Sequence, residues 1–227
     1  MDADNMAEAR AGMVRQLALY KIRDERVLKA MAKVRRHVFI PALHRKDAAA
    51  YGDHPCAIGY GQTISQPFIV AYMTERMDVQ PGAKVLEIGA GSGYQAAILA
   101  ELGACVYSVE LIPDLAEHAK QTLAAEGYGP GRVQILCGDG YAGWPEHAPF
   151  DIIMATCAPD VIPDRLVDQL AEGGRLILPL GAFSQRLVVL RKKQDKVETE
   201  EDLPVRFVPM VHGLPCNPRD ASQTDYY

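Results

Sequence analysis

The sequence has little of what marks several functional classes. Its five cysteines, Cys56, Cys105, Cys137, Cys157 and Cys216, are odd in number and widely spaced, with no C-x-x-C pair. That usage argues against a disulfide framework or a zinc ribbon and reads as reduced, mostly buried thiols in a cytoplasmic protein. The six histidines form no H-E-x-x-H or comparable cluster, so no metal is expected. No apolar run approaches the roughly eighteen residues of a membrane span. The opening residues, Met1-Asp2-Ala3-Asp4-Asn5, are too acidic and polar for a secretory signal. A net charge of −5 with no Lys- or Arg-rich face argues against a nucleic-acid partner. Internal repeats and low-complexity linkers are also missing. What remains, 227 residues of which 48% are hydrophobic, suits one α/β domain with a small extension.

The richest stretch is Val85-Leu86-Glu87-Ile88-Gly89-Ala90-Gly91-Ser92-Gly93-Tyr94. A short apolar strand runs into three alternate glycines, and Gln95–Ala100 then reads as a helix. Glycine permits a tight turn and lets a ligand lie on bare backbone, and a helix N-terminus presents unpaired N–H groups. A second strand, Cys105–Val109, ends on Glu110, roughly twenty residues past the glycines, where an acid can hold ribose hydroxyls. The pattern predicts a site for a nucleoside-bearing cofactor. A dinucleotide fingerprint requires its third glycine where Tyr94 stands. Glu87, two residues before Gly89, would repel pyrophosphate and suits a cation instead. S-adenosylmethionine, with a sulfonium, an ammonium and no phosphate, fits better than a nicotinamide dinucleotide.

Residues 1–82 read as a helical extension with an active-site loop, 83–213 as the cofactor-binding core, and 214–227 as a loose tail, all within one compact unit. Met13, Leu17 and Tyr20 recur at helical spacing, as do Val27, Leu28 and Met31 after the cap Asp24. Phe39-Ile40-Pro41 closes that section. From Ala83, strands Val85–Ile88, Cys105–Val109, Val133–Leu136, Ile152–Ala155 and Leu176–Leu180 alternate with helices Tyr94–Leu102, Pro113–Glu126 and Pro163–Ala171. Such alternation predicts a doubly wound parallel sheet, with the ligand beyond the strands' carboxyl ends. Arg186–Leu190 and Val205–Val211 read as an antiparallel edge pair joined by a solvated charged connection, Arg191–Asp202.

Upstream, Gly61-Gln62-Thr63-Ile64-Ser65-Gln66-Pro67 reads as a polar, glycine-punctuated loop entering a helix near Pro67. Together with Leu86–Gln95, Gly138-Asp139-Gly140, Gly143-Trp144, Ala148-Pro149-Phe150-Asp151 and Arg206-Phe207-Val208-Pro209, it resembles the signature elements of the protein-L-isoaspartate O-methyltransferases. The resemblance runs from about Met13 to about Val211. It implies a Rossmann-like doubly wound sheet of the S-adenosylmethionine-dependent methyltransferase type, with antiparallel C-terminal edge strands. It also implies a cytoplasmic, monomeric repair enzyme that methylates the α-carboxylate of isoaspartyl residues in damaged proteins and peptides, without metal, nucleic acid or membrane.

By the same resemblance Ser65 is the active-site serine, and Gln62, Thr63 and Ile64 cover cofactor and substrate. Glu87, Gly89, Gly91, Gly93 and Leu111 line the cofactor site, Glu110 takes the ribose, and Asp139 and Gly140 lie near the adenine. Read without the family, Asp139-Gly140 is equally a turn-forming pair, and Trp144 is a core residue. Thr156-Cys157-Ala158-Pro159 lacks the acid or amide, prolines and aromatic found in many amino-methylating enzymes, which argues against N-methylation. Three positions depart from the family pattern: Arg35 replaces a usual proline, Cys56-Ala57 replaces Leu-Pro, and Cys157 replaces alanine. From the residues alone, two alternatives stay open. One is a methyltransferase of this fold acting on a small metabolite or another carboxylate; the other is a cofactor-binding module without catalysis.

Overall fold

A computed structural model describes residues 3–43, 47–194 and 196–213 of the chain. The expected loose tail, with Cys216, lies outside the described residues. Two helices open the fold, α1 (Ala3–Leu19) and α2 (Glu25–Lys33). Asp24 caps α2 as expected, its carboxylate accepting the Arg26 N–H at 2.8 Å. A 3-10 turn, Arg36–Phe39, ends the section.

Strands β1 (Cys56–Gly59) and β2 (Gln62–Ile64) then form a small antiparallel hairpin, with Cys56 opposite Ile64 and Ala57 opposite Thr63. The turn holds three consecutive positive φ angles, at Gly59, Tyr60 and Gly61, which explains the flanking glycines. The segment read as a loop is therefore half strand. Helix α3 (Pro67–Met77) follows with proline in its first turn.

The core alternates β3 (Lys84–Ile88), α4 (Tyr94–Glu101), β4 (Cys105–Glu110), α5 (Pro113–Ala125), β5 (Val133–Cys137), β6 (Phe150–Ala155), α6 (Asp164–Asp168), β7 (Leu170–Leu180), β8 (Gln185–Lys193) and β9 (Lys196–Val205). Its seven strands lie in the order β5-β4-β3-β6-β7-β8-β9. The first five are parallel, and β8 and β9 add on antiparallel. Strand order reverses between β3 and β6, which opens a crevice at their carboxyl ends. Both faces of the sheet are covered. Val85, Val106 and Ile177 join a cluster with Met31, Ile98 and Leu99 on one side, while Leu86, Ile153 and Leu178 pack with Leu166 on the other. Burial on both faces accounts for the unbroken apolar runs of these strands. No helix among the described residues is long and apolar enough to cross a membrane.

Three sequence expectations are corrected. The helix predicted over Pro163–Ala171 is only the five residues of α6, because β7 begins at Leu170. The edge pair is also displaced. The charged stretch Arg191–Asp202 is itself the end of β8 and most of β9, with Arg191 opposite Glu198. Arg186 reaches Glu201 at 3.3 Å, and Arg76 reaches Glu200 and Asp202 at 2.9 Å. Charges suit an edge strand that keeps one row of backbone groups in water. Of the second strand expected over Val205–Val211, only Val205 belongs to β9. The chain then leaves the sheet and, among the described residues, meets it again through an isolated bridge between Ala158 and Pro209. Finally, the cysteines expected to be mostly buried are not. Cys56, Cys105 and Cys157 are free thiols; Cys105 is exposed, and Cys56 and Cys157 are only half-buried.

Ile153 on β6 is fully buried, so Ile153→Ala should lower the unfolding free energy by about 2–5 kcal/mol in urea titration. Phe183→Ala, at a fully exposed side chain, should change it by no more than about 0.5 kcal/mol.

Candidate active site

The crevice is built from strand ends. At the end of β3 the chain turns through Gly89, whose φ is 92°. A Cβ there would lie 2.8 Å from the Thr156 hydroxyl oxygen, at the end of β6. That hydroxyl donates to the Gly89 carbonyl at 2.6 Å and locks the two strand ends together. Gly93, at the start of α4, serves packing: a Cβ would meet Leu123 of α5 at 3.1 Å. Between them the Gly91 N–H donates to Glu110 Oε2 at 2.7 Å, while Glu110 Oε1 accepts the Ile112 N–H at 2.9 Å. Glu110 is thus held by backbone on both oxygens. Its pKa is raised by burial, and the N–H bonds oppose that rise.

Two adjoining compartments result. The larger is lined by Gln62, Thr63, Gly89, Gly91, Glu110, Leu111 and Gly140, together with Ile112, Thr156, Cys157 and Val208–Val211. The smaller is lined by Ile64, Ser65, Glu87, Ser92 and Gln95 and shares Thr63, Gly89, Gly91 and Thr156 with the first. The β1–β2 hairpin roofs the glycine loop: Ile58 would lie 3.4 Å from a Cβ on Gly91, and the Tyr60 hydroxyl donates to Asp114 of α5.

The structure therefore brings Gln62, Thr63, Ile64, Ser65, Glu87, Gly89, Gly91, Glu110, Leu111 and Gly140 around one crevice. Gly93 sits beneath it. Asp139 lines neither compartment; its carboxylate accepts the Tyr141 N–H at 2.9 Å and pairs with His212 Nδ1 at 3.0 Å. Thr156, Cys157 and Val208–Val211 are wall residues that sequence reasoning left out. Only the Arg206–Pro209 motif pointed toward the last of these. The Val208–Met210 segment is held by Ala158, which donates to the Val208 carbonyl at 2.9 Å and accepts from the Met210 N–H at 2.8 Å.

Among the described residues no Lys, Arg or His lines either compartment, yet two buried carboxyl groups do. Glu87 is 0% exposed. Its Oε2 accepts from the Ser108 hydroxyl at 2.5 Å, and its Oε1 is buried with no partner among the described residues. Burial pushes its pKa up to about 8; the Ser108 bond pulls it down, and Glu110 pushes it further up. Burial likewise raises the Cys157 thiol, with both acids adding to the effect. A buried carboxyl with an unpartnered oxygen suits a cation bearing N–H donors, whose charge favours loss of the Glu87 proton, and offers nothing to a phosphate.

An acid whose pKa is raised in the folded state keeps its proton where the unfolded chain has lost it. Stability should then fall as pH rises through the window from 4.5, the ordinary value, to about 8. The slope is about 1.4 kcal/mol per pH unit inside that window. Glu87→Gln should abolish this component, so thermal melts of the ligand-free variant should overtake the wild type progressively between pH 5 and 8. A difference that stays constant with pH would contradict the assignment.

A family model described as protein-L-isoaspartate(D-aspartate) O-methyltransferase matches residues 8–214. A protein-L-isoaspartate O-methyltransferase of Gloeobacter violaceus is 53% identical over 202 residues, covering 88% of this chain and 97% of its own length. Among solved structures, a protein-L-isoaspartate O-methyltransferase superposes with a TM-score of 0.80 at 30% identity; 88% of this chain covers 65% of that one. A Plasmodium falciparum protein assigned to the same activity, solved in complex with S-adenosyl-L-homocysteine, gives 0.79 at 25% identity, covering 90% of this chain and 99% of its own. On this match the chain belongs to the protein-L-isoaspartate (D-aspartate) O-methyltransferase family.

Proposed function

We propose that the protein is a repair enzyme that uses S-adenosylmethionine to methylate the α-carboxylate of L-isoaspartyl residues in damaged proteins and peptides. The observation that carries this reading is the cation-free crevice with two buried acids, assembled from the family's own motif segments. On this reading Glu110, fixed by Gly91 and Ile112, faces the ribose hydroxyls with its remaining lone pairs. The unpartnered Glu87 oxygen takes an ammonium N–H. Gly140, packed against Ile88 and Met210, lies near the adenine, and Asp139 holds its turn and His212 beside it.

Bound there, the cofactor supplies an electrophilic methyl group on a sulfonium. An α-carboxyl group has a reference pKa of about 3.3–3.7, so the nucleophile is already ionised at neutral pH and needs no general base. An anion and a cation become neutral products, and such a reaction gains from exclusion of water and from in-line approach. The β1–β2 hairpin lies over the glycine loop at the crevice. Ser65, in the compartment beside Glu87, orients the carboxylate; it does not act as a nucleophile. The ester, once released, closes to a succinimide that reopens partly to normal aspartate.

The proposal includes a monomer working in the cytoplasm. Free thiols at Cys56, Cys105 and Cys157 support that location.

Labelled methyl groups should pass to an isoaspartyl peptide and not to its aspartyl twin, as a base-labile ester. Equal labelling, or base-stable label, would defeat the proposal. Ser65→Ala should reduce kcat/KM for the peptide by about 10- to 1000-fold, the scale of lost positioning, while calorimetry finds cofactor affinity nearly intact. A cofactor affinity that falls as far as turnover would place Ser65 on the cofactor instead.

A further inference from the structure

Ser65 lies between β2 and α3, one residue before Gln66, the N-cap position of α3. Where its hydroxyl stands in the smaller compartment is therefore set by the backbone entering that helix. Gln66 has φ −51° and ψ 134°, and its side chain makes no capping hydrogen bond. The capping group comes from elsewhere in the chain. Asp53 Oδ1 accepts the Phe68 N–H at 2.8 Å, and Asp53 Oδ2 accepts from Gln66 Nε2 at 2.8 Å. One carboxylate thereby satisfies an orphan donor of the helix, complements its positive end and pins the side chain next to Ser65.

The loop carrying Asp53 is itself anchored from behind. Arg36 is fully buried; its Nε donates to the Ala50 carbonyl at 2.8 Å and its Nη2 to the His54 carbonyl at 3.3 Å. The two bonds bracket Asp53; burial pushes the Arg36 pKa down, and Tyr94, Cys56 and, more weakly, Asp53 oppose that fall. The guanidinium also lies 5.2 Å from the ring centre of Tyr94, which begins α4 and lines the Ser65 compartment.

We propose that Asp53 is a positioning residue for methyl transfer, clamping Gln66 and the Phe68 amide so that Ser65 stands at the right place in its compartment. This rests on the functional reading above. Asp53 lines neither compartment. Its loss should therefore misplace Ser65 without emptying the cofactor cleft.

The test compares wild type, Asp53→Ala, Asp53→Asn, Gln66→Ala and the double variant Asp53→Ala/Gln66→Ala. Asp53→Ala should lower kcat/KM for an isoaspartyl peptide by about 10- to 100-fold, the cost of a reacting group displaced by a fraction of an ångström to an ångström. Affinity for S-adenosyl-L-homocysteine, measured by calorimetry, should change less than about twofold. Asp53→Asn should recover most of the activity, because its oxygen still accepts the Phe68 N–H and Gln66 can turn its amide to accept from the new NH₂. The double variant should be less impaired than the product of the two single effects, as expected for partners in one interaction. Hydrogen exchange reads the clamp without activity: the Phe68 amide should exchange at least about tenfold faster in Asp53→Ala. Unchanged Phe68 exchange, unchanged kcat/KM in Asp53→Ala, or equal losses of turnover and cofactor affinity would each overturn the proposal. If wild type methylates neither peptide of an isoaspartyl–aspartyl pair, the functional reading fails instead, and the exchange experiment still decides whether the clamp exists.

Discussion

The contact from the Gly91 N–H to the Glu110 carboxylate is the point on which the crevice depends. It joins the loop after β3 to the end of β4. Because both oxygens of Glu110 are tied to main chain, the acid is held in one place inside a wall that buries it. Burying a carboxyl group is costly unless it is hydrogen-bonded, and here the backbone supplies the bonds while leaving lone pairs for a ligand. Glu87 is the contrasting case: one oxygen is satisfied by Ser108 and the other is not. The neighbouring strands thus present one acid that is locked and one that is unfinished. The unfinished one keeps a buried oxygen with no partner among the described residues.

Much of this was legible in the sequence because it is local. Strand β3, the alternate glycines and the helix after them lie within one unbroken stretch, Lys84–Glu101, and strand order in a doubly wound sheet puts their junction at a crevice. Glu110 could be found for the same reason, as the last residue of the next strand. What escaped is non-local. Nothing in Lys196–Val205, dominated by acids, announces a strand until Arg191, Arg186 and Arg76 are placed against it. The hairpin β1–β2 has only seven residues in its two strands, four and three, too few for a convincing alternation. Val208–Val211 line the cleft only because Ala158 draws them back across the strand ends.

The departures from the family pattern acquire physical meaning in the fold. Arg35, standing where proline is usual, makes a two-pronged pair with Glu126 at the end of α5, at 2.9 and 2.5 Å. A constraint on one backbone angle is replaced by a tie between two distant elements. Ala57, replacing the second proline, sits opposite Thr63 in the hairpin and keeps a backbone N–H that proline lacks. Cys157 forms part of the cleft wall, and burial beside two acids keeps its thiol from ionising readily.

The charged ladder of β9 has a consequence for an enzyme whose proposed clients are aged polypeptides. Such chains are prone to local opening and can offer unpaired strands. An exposed sheet edge is a template for them. Glu198, Glu200 and Glu201 line that edge of this sheet and are exposed. An incoming strand would have to bring its own backbone alongside a row of carboxylates that lose hydration on contact. The protein can therefore handle damaged chains at its crevice while its sheet edge declines to recruit them into an aggregate.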